Sequence, residues 1–142
     1  MEELFELRAY LEQGRYEDAL RIIGELEEMS KDDKINRIDS FCVVLLIHLI
    51  KEEAEKRTTR SWESSIRHAV REINKVNKRR KAGGYYLKQD DIHEILENAW
   101  AEAIESAADE AFGGQYDAKW MEQQVDKSKI IQKARDLIAL ST

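Results

Sequence analysis

The chain has 142 residues, 42% of them hydrophobic and 37% charged, with a net charge of −6, six glycines, one cysteine and no proline. Average usage would place roughly seven prolines in such a chain. Their absence favours uninterrupted helices, because proline is the strongest helix breaker, and argues against a β-sandwich, a Pro-rich linker or a collagen-like rod.

The first apolar set, Leu4, Leu7 and Leu11 with Phe5 beside it, has helical spacing over Glu2–Gln13, and Gly14 sits where a helix-ending residue belongs. A second helical stretch, Arg15–Met29, carries Tyr16, Ala19, Leu20, Ile23 and Leu26, so residues 1–29 read as a helical hairpin. Gly14-Arg15-Tyr16-Glu17-Asp18-Ala19-Leu20 resembles half of a tetratricopeptide unit, but no repeat follows at the required period. Ser30 is the expected N-cap of the next helix, with Asp32 and Asp33 in its first turn. That helix, Asp32–Lys56, is apolar on almost every side from Phe41 to Ile50 and is expected to run through the centre of the core. The run is far shorter than the roughly 20 residues of a membrane span, so no membrane is expected.

After the polar connector Thr58-Thr59-Arg60-Ser61, the spacing of Trp62, Ile66, Ala69, Val70, Ile73 and Val76 predicts a helix to about Lys81, stopped at Gly83-Gly84. Ser61 is the expected cap. Trp62 is expected to pack back onto the core helix, and Arg60 and Arg67 to meet Glu52, Glu53 or Glu55. Asp90 or Asp91 is expected to cap an Ala-rich helix that Gly113-Gly114 ends. Asp117–Val125 and Lys129–Leu140 then read as two short helices. The fold class is all-α: a bundle of five or six helices, mainly antiparallel neighbours, in one domain. Within it, residues 1–29 form the hairpin, 31–112 the core helices and 115–142 a helical tail.

Charge is segregated along the chain. Residues 1–40 carry 6 basic and 12 acidic side chains, residues 51–88 carry 12 and 5, and residues 89–142 carry 5 and 12. The basic middle is either a nucleic-acid face or is neutralised by the acidic flanks, and the acidity of the whole chain favours neutralisation. If the face is open, Arg71, Lys75, Lys78, Arg79, Arg80 and Lys81, beside Tyr85 and Tyr86, are the candidate phosphate-gripping residues.

Each histidine has a glutamate four residues on: His48 with Glu52, His68 with Glu72, His93 with Glu97. His48 and Glu52 are the candidate metal ligands, although the Glu-x-x-His spacing of di-iron bundles is absent. The bland expectation is a core histidine at 48 and i,i+4 partnerships at 68 and 93. Trp62, Trp100 and Trp120 read as packing anchors, and Cys42 as a small core residue. A single cysteine cannot close an internal disulfide. The acidic start Met1-Glu2-Glu3 lacks the basic region of a signal peptide, and a cytoplasmic protein is expected. With no glycine-rich phosphate loop, no Cys-x-x-Cys and no nucleophile elbow, no catalytic residues and no cofactor are assigned.

Gly14-Arg15-Tyr16, Ile22–Met29, Val43-Val44-Leu45-Leu46-Ile47-His48-Leu49-Ile50-Lys51 and Arg60-Ser61-Trp62-Glu63-Ser64-Ser65-Ile66-Arg67, in that order, resemble family twenty-nine of the domains of unknown function. The resemblance spans about residues 7–113, with Leu96–Gly113 matching the family's Ala-rich helix. The family's aromatic-rich N-terminal lead is missing or shortened here, and its Pro-containing tail is replaced by Gln115–Thr142. The resemblance implies a small helical protein of bacterial, including cyanobacterial, type, with no activity or catalytic residues attached. Together these features lead to a non-enzymatic protein-interaction or self-association module. A nucleic-acid-binding regulator is the first alternative and a metal-dependent enzyme the second.

Overall fold

A computed structural model describes residues 2–79 and 83–140, and among these the chain is all-α: six α-helices and one 3-10 turn. The chain divides into two compact units, one ending at Ile35 and one beginning at Asn36.

In the first unit, α1 (Glu2–Glu12) ends where expected. Gly14 takes the left-handed conformation (φ +72°), and the Arg15 N–H donates to the Tyr10 carbonyl at 2.8 Å, closing the last turn. No residue of α1 is buried. The following helix buries only Ala19 and Ile22 in this unit among the described side chains. Leu4, Phe5, Leu11, Tyr16, Leu20 and Ile23 remain exposed.

The break expected at Ser30 is absent: α2 runs without interruption from Tyr16 to Glu55. A serine cap is worth about 1 kcal/mol, and no proline stands near it to forbid continuation. Ser30, Asp32 and Asp33 simply lie exposed on the helix surface. Ser40, further along α2, shows how such a residue is accommodated, donating its hydroxyl to the Asn36 carbonyl one turn back.

The second unit is built around the C-terminal half of α2. Ile38, Cys42, Leu45, Leu46 and Ile50 are fully enclosed there, while Phe41, Val44 and His48 form a half-buried stripe. Helix α3 (Arg60–Asn77) packs against α6 (Lys127–Leu140), and α4 (Gln89–Glu110) packs against both α5 (Ala118–Gln124) and α6. Four of the five alanines of α4, at 99, 103, 107 and 108, are buried, consistent with close helix approach. The 3-10 turn Ala111–Gly114 ends α4, and Gly114 (φ +76°) is required there, since a Cβ would lie 2.9 Å from the Asp109 carbonyl oxygen.

Two caps differ from expectation. Thr59, not Ser61, caps α3, its hydroxyl accepting the Trp62 N–H at 3.0 Å. Ser61 lies two positions further on, inside the first turn, where the Glu63 N–H already bonds the Thr59 carbonyl. Lys88, not Asp90 or Asp91, occupies the cap position of α4. Lysine has no side-chain acceptor, and Asp91 instead reaches back to take the Lys88 backbone N–H at 2.9 Å. Asp117, read as the first residue of the short helix, is instead its cap, accepting the Trp120 N–H. Thr59→Ala is expected to lower stability by about 1 kcal/mol in urea unfolding, while Ser61→Ala changes it by only a few tenths.

Finally, α3 stops at Asn77, four residues before the expected end, with Lys78 already extended. Asn77 is buried, and its side chain makes both bonds of a backbone pair: Nδ2 donates to the Leu87 carbonyl (3.1 Å) and Oδ1 accepts the Leu87 N–H (2.7 Å). Lys78 and Tyr85 then form an isolated antiparallel bridge, reinforced by Arg79 N–H to the Gly84 carbonyl and Tyr86 N–H to the Asn77 carbonyl.

Candidate functional site

The basic segment divides into a paired and an open half. Lys51 is buried, 3.2 Å from the Glu110 carboxylate and 4.7 Å from the centre of the Trp62 ring. Lys56 pairs with Glu53 and Arg57 with Glu55, both within the helix end and its connector. Beyond Thr59 this pairing stops. Arg60, Arg67, Arg71, Lys75, Lys78 and Arg79 are exposed, and none of them forms an ion pair among the described residues. Arg80 and Lys81 lie outside the described residues. At the α2–α3 corner only Lys51 reaches an acidic flank, through Glu110, while Lys56 and Arg57 pair with glutamates of the basic segment itself; along α3 the basic side chains lie open.

Arg60 and Arg67 do not meet the glutamates expected for them. Glu52 accepts from the Thr58 hydroxyl, Glu53 serves Lys56 and Lys129, and Glu55 serves Arg57. The three glutamates at the helix end are thus engaged by Thr58, Lys56, Lys129 and Arg57. Trp62 does pack back as expected: half-buried, its ring lies 4.7 Å from both the Lys51 ammonium and the Arg57 guanidinium.

Arg67 and Arg71 stand one helical turn apart and separate two adjoining hollows. One, about 470 Å³, is lined by Val44, Ser64, Ser65 and His68 together with both arginines. The other, about 490 Å³, has an apolar floor of Ile66, Val70 and Leu137 beside the same two arginines and Asn74. Asn74 Nδ2 donates to the Ile138 carbonyl at 3.0 Å, tying α3 to α6 along this edge. His68 faces its Arg71 neighbour (3.2 Å) and the Phe41 ring edge, not Glu72, so the expected His68–Glu72 pair is not made. His93 does meet Glu97, at 3.5 Å, and also lies 3.3 Å from Arg135.

The candidate metal ligands are engaged separately. His48 Nδ1 lies 2.9 Å from the Val44 carbonyl, a geometry in which Nδ1–H donates, and Glu52 is held by Thr58. Among the described residues no three His, Cys, Asp or Glu side chains converge. Cys42 is fully buried, and burial, with Asp39 as a smaller contribution, pushes its thiol up to about 12. A thiol so far from thiolate is a poor nucleophile. Native protein at about pH 8 is expected to leave Cys42 unmodified by a thiol-specific disulfide reagent, and protein unfolded in guanidinium to react fully.

Sequence reasoning missed a second feature. The turn after α4 gathers Phe112, Tyr116 and Trp120. Tyr116 stacks on Trp120 at 3.8 Å and 15°, and Phe112 meets both edge-on at 5.6 Å. Trp120 alone carried a visible signal, since Phe112 and Tyr116 lie in a loop with no periodicity. Trp100, by contrast, is a buried anchor, its indole N–H directed at Glu122 at 3.4 Å.

The sequence profile of the domain of unknown function DUF29 matches residues 6–122. The chain belongs to the DUF29 family. The match reaches beyond the Ala-rich helix α4 to include the Phe112–Tyr116–Trp120 turn and most of α5. No curated protein and no solved structure matches the chain at a significant level. No helix among the described residues is long and apolar enough to cross a membrane.

Proposed function

We propose that this DUF29 protein is a non-enzymatic interaction module that self-associates or binds a protein partner. The observation that carries the reading is α1: an amphipathic helix that buries none of its residues and leaves Leu4, Phe5 and Leu11 in solvent. A helix shorter than about 12–15 residues is marginal in water by itself, and within the hairpin only Leu7, Ala9 and Tyr10 of α1 are even half-buried. Exposed apolar clusters of this kind mark interaction sites. Light scattering over a broad concentration range, with a pull-down from lysate, tests the reading. Wild-type protein is expected to associate or retain a partner, and Phe5→Glu with Leu20→Glu to abolish this. A strictly monomeric protein that retains nothing overturns it.

Nucleic-acid binding is the second reading, favoured by the exposed surface of Arg71, Lys75, Lys78 and Arg79, which form no ion pair among the described residues, with Tyr85 exposed alongside. A low-salt binding isotherm decides it: affinity for DNA or RNA that falls steeply with salt supports it, and none at low salt removes it. A bacterial cytoplasmic setting fits the single buried thiol and the family's type.

A further inference from the structure

Resting on the interaction reading above, we propose that the cleft walled by Arg67 and Arg71 receives the acidic N-terminal hairpin of a second copy of this chain. Each half of the contact is incomplete in the way the other would complete it.

The cleft offers two guanidinium groups with no carboxylate partner among the described residues, above an apolar floor of Ile66, Val70 and Leu137. Guanidinium groups at a rim over apolar side chains favour a carboxylate-bearing amphipathic segment over a purely apolar or a basic one. The chain's first unit is such a segment. Residues 1–35 carry 11 acidic and 5 basic side chains. Arg8, Arg15 and Arg21 are already engaged by Glu12 and Asp18, which leaves Glu3, Glu6 and Glu17 without a cation among the described residues. Leu4, Phe5 and Leu20 supply the apolar complement, Phe5 being 73% exposed. With its 11 residues α1 is about 16 Å long, enough to span more than two turns of α3 and so to reach both arginines.

Charge complementarity selects the occupant. The same chain carries one strongly acidic apolar surface and one basic apolar cleft, and two copies that exchange hairpins satisfy both at once. A reciprocal exchange of this kind is closed by a twofold axis and gives a dimer. Filling two clefts also doubles the buried area toward the roughly 1,200–2,000 Å² of specific interfaces.

Full-length protein studied by size exclusion with light scattering, over micromolar to near-millimolar concentrations, tests the proposal. Wild type is expected to be dimeric, with the dimer weakened by salt. Arg67→Glu with Arg71→Glu weakens it by about a hundred-fold or more, as does Glu3→Lys with Glu6→Lys. Mixing the two double variants restores a heterodimer, because each acidic cleft then meets a basic hairpin and each basic cleft an acidic one. Circular dichroism melts confirm folding, and Arg67→Gln with Arg71→Gln replaces the reversal if it fails to fold. A dimer untouched by the arginine changes, or no rescue on mixing, overturns the proposal. A wild-type monomer that still retains another protein from lysate overturns it while leaving the interaction reading intact. A monomer that retains nothing removes both.

Discussion

Asn77→Ala is expected to lower the unfolding free energy by about 3 kcal/mol, among the largest effects of any single polar substitution in this chain. Asn77 is 3% exposed, and its amide satisfies both the N–H and the carbonyl of Leu87, which is itself buried. Alanine leaves both groups without a partner where water does not reach, and each orphaned group costs about 1–3 kcal/mol. The loss extends beyond the pair. The bridge between Lys78 and Tyr85 and the Tyr86 N–H to Asn77 carbonyl bond hang on the same corner. Amide exchange is therefore expected to accelerate at Leu87 and Tyr86 before the helices open. Asn77→Asp is a sharper control, keeping the acceptor for the Leu87 N–H but removing the donor to the carbonyl and burying a charge. Equilibrium urea unfolding measures the change, and a loss below about 1 kcal/mol would show that the corner opens to solvent instead.

Trp62→Ala is expected to cost about 3 kcal/mol by the same measurement. The half-buried ring holds the junction between α2 and α3, and part of its contribution is electrostatic. A cation over an indole face gains about 0.5–2 kcal/mol, the larger values applying where it is desolvated. Lys51 is desolvated here, with 7% of its side chain exposed, and depends on the Trp62 ring and the Glu110 carboxylate together. Removing the ring leaves a buried ammonium with one partner. The double variant Trp62→Ala with Lys51→Met is therefore expected to be less destabilised than the two single effects added. Strict additivity would show that Lys51 draws nothing from the ring.

Much of the helical plan was legible because it is local. Gly14 and Gly114 mark ends through left-handed backbone that other residues resist. The tail helix reads from Ile130, Ala134 and Ile138, all buried. The same local rules failed where two local options compete at about 1 kcal/mol. Ser30 looks like a cap, but nothing there stops the backbone ladder, so α2 runs through it. Ser61 and Thr59 are both hydroxyls, and only the backbone path out of α2 chooses between them. Lys56, in left-handed backbone at φ +56°, sets that path.

The candidate site was less legible. Arg71 and its neighbours were visible as a basic run, yet their condition depends on carboxylates far along the chain. Lys51 finds Glu110 across 59 residues, whereas Arg67 and Arg71 find none among the described residues. Leu137, which completes the floor beneath the two arginines, comes from α6. By itself, the sequence determined that this prolineless chain is helical, where most of its helices end, which stretch forms the core and to which family it belongs. The tertiary structure alone decided which half of the basic segment is neutralised and which is open. Helix periodicity is a property of neighbours three and four residues apart, while ion pairing is settled by which helices come to lie side by side.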